Sequence, residues 1–242
     1  MWSHPPQLLS LHSNEVHVWR IGLGQPPDVG ERFLRTLDSE EQARANRFHF
    51  EKHRRHFIVA RGFLRFLLAR YLDTKPEDVR FSYGPYGKPK LEVEHGPSRL
   101  RFNASHSHEL AVFGFAYDHE LGIDIEYVNQ NFASEDIARC FFSRSEVETL
   151  SALPDVQKID AFFRCWTRKE AYIKAIGSGL SHPLDQFDVT LAPGDPAALL
   201  RVSDDPHAAA GWSFFDLEVG EDYAAALAVE GPIQRLHRFQ SR

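Results

Sequence analysis

Asp124 and Glu126 stand two apart in Gly122-Ile123-Asp124-Ile125-Glu126. In a strand, alternate side chains share a face, so both carboxylates point one way and Ile123 and Ile125 the other. Carboxylates this close repel unless a cation lies between them. Hard oxygen donors suit Mg²⁺ or Ca²⁺, and Mg²⁺ commonly keeps one or two carboxylates plus substrate phosphate. The same spacing also suits an amphipathic strand with a wet acidic face. A third carboxylate lies in Trp166-Thr167-Arg168-Lys169-Glu170-Ala171-Tyr172-Ile173-Lys174. Glu170 and Lys174 are one helical turn apart. They form either a surface ion pair or an acid–base group with a lysine placed to stabilise negative charge.

Two further segments offer groups for an anion. Phe102-Asn103-Ala104-Ser105-His106-Ser107-His108 reads best as a polar loop that hydrogen-bonds an anion. A zinc site at His106 and His108 lacks a third soft ligand nearby, and a Ser-His nucleophile lacks a GxSxG context. In Tyr86-Gly87-Lys88-Pro89-Lys90, glycine permits close backbone approach and Lys88 offers a point charge. The Walker pattern is missing, and on these residues alone a plain turn is the better reading.

These groups need elements to position them. Residues 15–21 alternate as a half-buried strand, and Asp38-Ser39-Glu40-Glu41 opens a helix over 38–50. Helix 54–72 has an apolar face beside an arginine stripe, Arg54, Arg61 and Arg65, read as a solvated flank. Strands are expected at 79–83, 91–93, 110–117, 121–127, 186–191, 213–219 and 223–229. Helices are expected at 144–152 and 156–176. Arg61/Arg168, Pro76/Pro183 and Asp78/Asp185 share an offset of 107 residues, which suggests two similar halves meeting near residue 118.

The 242 residues suit one large domain or two small ones. Two cysteines, Cys140 and Cys165, make no disulfide framework and no four-thiolate zinc site. WSHPPQLLS after Met1 has no basic start or apolar core, and no apolar run suits a bilayer, so a soluble cytoplasmic protein is expected. Residues 1–117 carry 17 Lys and Arg against 13 Asp and Glu, and residues 118–242 carry 11 against 21. A basic front half suits an anionic ligand, whereas the absence of a basic run argues against nucleic acid.

Taken in order, GKP, FNASHS, GIDIE, FFSRSE and WTRKEAYIKAIGSGL closely resemble the 4′-phosphopantetheinyl transferases, of the monomeric surfactin-synthetase-activating type. The resemblance covers about residues 47–190; residues 1–35 and 195–242 carry no matching motif. It implies an α+β fold of two similar α/β halves in pseudo-twofold arrangement, with the site at their junction. Residues 1–117 would bind coenzyme A phosphates, and residues 118–242 would carry the metal ligands and the catalytic helix. It implies Mg²⁺ on Asp124, Glu126 and Glu170, with Glu170 and Lys174 catalytic. Arg61, Lys88, Ser105 and His106 would hold coenzyme A. One departure is the stretch 38–44, where Arg44 alone is basic. The implied reaction moves the phosphopantetheine arm of coenzyme A to a serine of an acyl- or peptidyl-carrier protein and releases 3′,5′-ADP. No nucleic acid or membrane partner is implied. The carrier is expected to dock on 132–150. A non-catalytic protein of the same fold that binds coenzyme A or a carrier, and a Mg²⁺ phosphodiesterase, are the competing readings.

Overall fold

The computed structural model describes residues 1–92, 98–129, 132–133, 135–179, 182–203, 205 and 207–241. Val93 of the expected strand 91–93 and Leu180 of the long motif lie outside the described residues. The chain is mixed α and β, as expected. Its first part runs β1 (Glu15–Gly22), α1 (Pro27–Thr36), α2 (Ser39–Asn46), α3 (Glu51–Leu72), the hairpin β2 (Phe81–Tyr83) and β3 (Pro89–Leu91), then β4 (Leu100–Ser107) and β5 (Leu110–Tyr117). The second runs β6 (Leu121–Tyr127), α4 (Glu135–Phe141), α5 (Arg144–Ala152), α6 (Asp155–Ile176), the hairpin β7 (Phe187–Val189) and β8 (Leu199–Val202), then β9 (Trp212–Asp216), β10 (Tyr223–Glu230) and β11 (Arg235–Gln240).

The element order repeats, and so does the strand order. One sheet is β11-β1-β5-β4 and the other β6-β10-β9, so β1-β5-β4 matches β6-β10-β9. Among the described residues, β11 breaks the pattern by adding in parallel to β1. Strands β5 and β6 follow a tight turn, yet they enter different sheets. Val16, Val18 and Val112 of the first sheet pack on Leu121, Ile123, Ile125 and Leu227 of the second. Helix α3 covers the outer face of the first sheet, and α6 that of the second. The result is a helix–sheet–sheet–helix stack, in which the central strands β5 and β10 each bury one face against a helix and the other against the opposite sheet. No helix among the described residues is long and apolar enough to cross a membrane.

Each half holds its long helix by the same device. Asp38 caps α2 and Ser143 caps α5, each in a reciprocal capping box with the glutamate three residues on. Those glutamates, Glu41 and Glu146, each accept from a fully buried cation on the long helix. Arg65 Nε lies 2.6 Å from Glu41 Oε2, and Lys169 Nζ 2.8 Å from Glu146 Oε2. This corrects the reading of a solvated arginine stripe. Arg65 also donates to the Pro76 and Val79 carbonyls and to Asp38, while Lys169 donates to those of Leu184 and Phe187. Buried charges survive only when paired and hydrogen-bonded in this way. The device sets the repeat at 104 residues in the helices, from Glu51 to Asp155, rather than 107.

The helix expected over 38–50 stops at Asn46, because Phe48 folds back onto Phe57, with ring centroids 5.5 Å apart. Helix α1 was hidden behind Pro26-Pro27, where the second proline takes the first helical position.

Candidate active site

The segment expected as a polar loop, 102–108, is mostly strand β4. Its Asn103, Ser105 and Ser107 share one face, and that face meets the open edge of β6. Asn103 Oδ1 accepts from the Ile123 amide at 2.9 Å, and Ser107 Oγ from the Tyr127 amide at 3.0 Å. Ser105 donates to Asp124 Oδ1 and Ser107 to Glu126 Oε2, each at 2.9 Å. Side chains rather than backbone therefore join the two sheets at this edge.

Gly122, Asp124 and Glu126 all face α6. A Cβ at Gly122 would stand 2.0 Å from the Ala171 carbonyl oxygen and 2.3 Å from the Ala175 amide nitrogen. Helix backbone thus rests on strand backbone, which only glycine permits. That contact sets Glu170 and Lys174, one residue before each of those alanines, over Asp124. The surface pair Glu170–Lys174 is not the ion pair formed. Lys174 Nζ instead lies 2.5 Å from Asp124 Oδ1 and 3.0 Å from Ser105 Oγ.

Asp124 is 2% exposed, so it is not the solvent-facing carboxylate of an amphipathic strand. Burial pushes its pKa up, against the pull of Lys174 and Ser105. Its second oxygen, Oδ2, is buried with no hydrogen-bond partner. Glu126 is raised by desolvation and by Asp124. Glu170 is pushed up to about 7 by desolvation, with the charges of Asp124 and Glu126 adding to it. Three carboxylates raised by burial, two of them also by acidic neighbours, and one with an orphaned buried oxygen, match what a hard cation would satisfy.

The remaining sequence candidates sit around this centre. His106, on the opposite face of β4 from Ser105, is lowered by desolvation and by the positive charges of Lys174, His56 and Arg44. Arg44, the one basic residue of 38–44, and His56, which was not among the sequence candidates, thus lie within electrostatic reach of this ring. Lys88 Nζ reaches the Ala175 carbonyl at 2.8 Å, the Leu121 carbonyl at 3.3 Å and Glu120 at 3.1 Å, so it ties the end of α6 to the start of β6. Arg61 lies over the Phe81 ring, donates to Glu41 and reaches Tyr83 Oη at 2.8 Å. The structure brings Ser105, Asp124, Glu126, Glu170 and Lys174 into one cluster, with His106 beside it; Lys88 and Arg61 are held by other partners.

A cavity of about 350 Å³ adjoins Glu126, lined also by Ser107, His108, Tyr127, Phe132, Phe163 and Trp166. A larger one, about 550 Å³, lies by Arg164 and Asp216 and contains none of the site residues, so volume does not locate the site.

Residues 120–228 match the family model described as the 4′-phosphopantetheinyl transferase superfamily, and residues 28–116 match 4′-phosphopantetheinyl transferase, N-terminal. The chain is 43% identical over 230 residues to the 4′-phosphopantetheinyl transferase HetI of Nostoc sp., covering 95% of this chain and 94% of that protein. It is 33% identical over 178 residues to the 4′-phosphopantetheinyl transferase Sfp of Bacillus subtilis, covering 73% and 77%. Among solved structures, holo-[acyl-carrier-protein] synthase of Thermotoga maritima aligns with a TM-score of 0.36 at 24% identity, over 46% of this chain and 62% of that one.

Proposed function

The chain belongs to the 4′-phosphopantetheinyl transferase superfamily, and from that premise we propose how its own residues carry the reaction. The enzyme moves the 4′-phosphopantetheine arm of coenzyme A onto a serine hydroxyl of an acyl- or peptidyl-carrier protein and releases 3′,5′-ADP. The observation that carries this reading is the cluster of Asp124, Glu126 and Glu170, with the partnerless buried oxygen of Asp124 at its centre. Those three residues would hold Mg²⁺. Bound there, the ion offsets the charge of the pyrophosphate under attack.

Glu170 is the group that takes the serine proton, directly or through a water. A carboxyl poised near 7 suits that role, since a general base works best with a pKa close to the working pH. Lys174 faces the charge that grows on the leaving phosphate, and Ser105 and Asp124 orient its ammonium. His106 and Ser105 hold coenzyme A phosphates, with the basic groups Arg44 and His56 beside His106. Lys88 and Arg61 complete that binding half, 1–117, and residues 118–242 carry the metal ligands and catalytic helix. The carrier docks on 132–150, where Phe132 and Phe141 are exposed and pack edge-on against Trp166. The protein acts in the cytoplasm as a monomer, without nucleic acid or membrane.

Incubation with coenzyme A and Mg²⁺, with and without apo-carrier, tests the reading. A carrier mass gain of one phosphopantetheine is the expected result. Cleavage of coenzyme A without carrier would instead mark a phosphodiesterase, and binding without turnover a non-catalytic module.

A further inference from the structure

Glu15, His17 and His237 lie on the α3 side of the first sheet, where β11 joins β1. Strand alternation puts Glu15 and His17 on one face, and the parallel register sets His237 directly beside His17. One carboxylate oxygen and one ring nitrogen from each histidine fall within 4.8 Å of one another. The Glu15 carboxylate is 3.9 Å from His237 Nε2, and the two imidazoles meet edge to face with centroids 5.2 Å apart. Glu15 and His17 are buried, 4% and 3% exposed, while the His237 side chain reaches solvent and gives an ion a way in.

His17 is already oriented from behind. Its Nδ1 lies 2.7 Å from Tyr71 Oη, which also accepts from Trp19 Nε1 at 2.9 Å. With the proton on Nδ1, that contact fixes the ring and leaves Nε2 as a lone-pair donor, the usual outer arrangement of a metal-bound histidine. Burial keeps the ring neutral, at a pKa of about 4. The competing partner of Glu15 is Arg235, at 3.2 Å, and its largely exposed side chain is free to swing into solvent.

We infer that Glu15, His17 and His237 form a site for one borderline divalent ion of the zinc class. Two imidazoles and a carboxylate suit Zn²⁺, Co²⁺ or Ni²⁺, in contrast to the all-oxygen set at Asp124, Glu126 and Glu170, which suits Mg²⁺. Three protein ligands leave one tetrahedral position for water. Such an ion clips the last strand to the first and sits apart from the chemistry. It therefore stabilises the fold without taking part in transfer.

The test uses untagged full-length protein stripped of metal and then held in excess Mg²⁺, which fills the carboxylate cluster. Calorimetric titration with Zn²⁺ should show one equivalent bound, and Co²⁺ should give the visible bands of a tetrahedral complex. His237→Ala should weaken Zn²⁺ binding by at least about 10-fold and Tyr71→Phe by about 10-fold, with carrier modification by His237→Ala unchanged. Because His17 is buried and its replacement risks the fold, the part-exposed His237 carries the test. A wild-type Kd above about 1 mM would overturn the site. So would unchanged affinity in His237→Ala, or loss of the equivalent in Asp124→Ala.

Discussion

Trp19 and Asp124 hold matching places in the two halves. Val16 pairs with Ala116 in the first sheet as Leu121 pairs with Val229 in the second, so His17 matches Gly122, Trp19 matches Asp124 and Ile21 matches Glu126. The buried cations Arg65 and Lys169 fix the helix register, so Phe66 matches Glu170 and Arg70 matches Lys174. In the first half the helix stands off the strand on rings. Trp19 meets Phe63, Tyr71 bonds His17, and Arg70 sits over Trp19 and Phe66. In the second half the helix drops onto Gly122, and the space the rings would fill holds three carboxylates and a lysine. On the proposed assignment, the same frame serves packing in one half and chemistry in the other. What separates them is a glycine that brings the backbones together and a cluster of charged groups in place of rings.

Breaking the second half should cost most where charge is lost. Asp124→Ala should lower carrier modification by at least about 10³-fold, the several kcal/mol of charge stabilisation that a held metal supplies. Its far-UV dichroism should stay that of wild type; a rate within tenfold would remove Asp124 from the site. Gly122→Ala should lower kcat by about 100-fold, because its methyl must push α6 away and misplace Glu170 and Lys174. The same overpacking should cost about 1–3 kcal/mol in denaturant unfolding, and an unchanged kcat would show that the close approach is not needed.

The proton held by Glu170 gives a signature without substrate. Its pKa rises from the usual 4.5 to about 7 on folding, so its contribution to stability is full below about 4.5 and lost as pH rises through 7. In EDTA, the Tm of wild type should therefore fall relative to that of Glu170→Gln between pH 5 and 8, and Mg²⁺ should reduce the difference. Parallel curves would contradict the raised pKa. The smallest effect belongs to the first half. Arg70→Met, the counterpart of a Lys174 change, should alter transfer by less than about twofold, a shift under about 0.5 kcal/mol.

The carboxylates and the lysine were legible because each relied on local periodicity. Strand alternation put Asp124 with Glu126, and helical spacing put Glu170 with Lys174. Their partners were not, since Lys174 pairs with Asp124 across a contact that Gly122 permits, and a glycine in a strand gives no sign of what approaches it. Residues 102–108 read as a loop because Asn, Ser and His are poor strand formers; tertiary contacts to β6 override that preference. Arg65 read as solvated because its acceptors, Asp38 and Glu41, come from another helix. The parallel addition of β11 lay beyond any short-range signal, its partner β1 being at the opposite end of the chain.

The claim that the second half performs the transfer rests most directly on Glu170. The measurement is the initial rate of carrier mass gain by Glu170→Gln and wild type, at saturating coenzyme A and carrier, across a range of Mg²⁺. The account predicts a kcat at least about 10²-fold below wild type, partly recovered as Mg²⁺ rises, because the amide keeps a weak oxygen ligand but cannot accept the proton. A rate within about threefold of wild type at every Mg²⁺ concentration, less than about 1 kcal/mol in barrier, would contradict it.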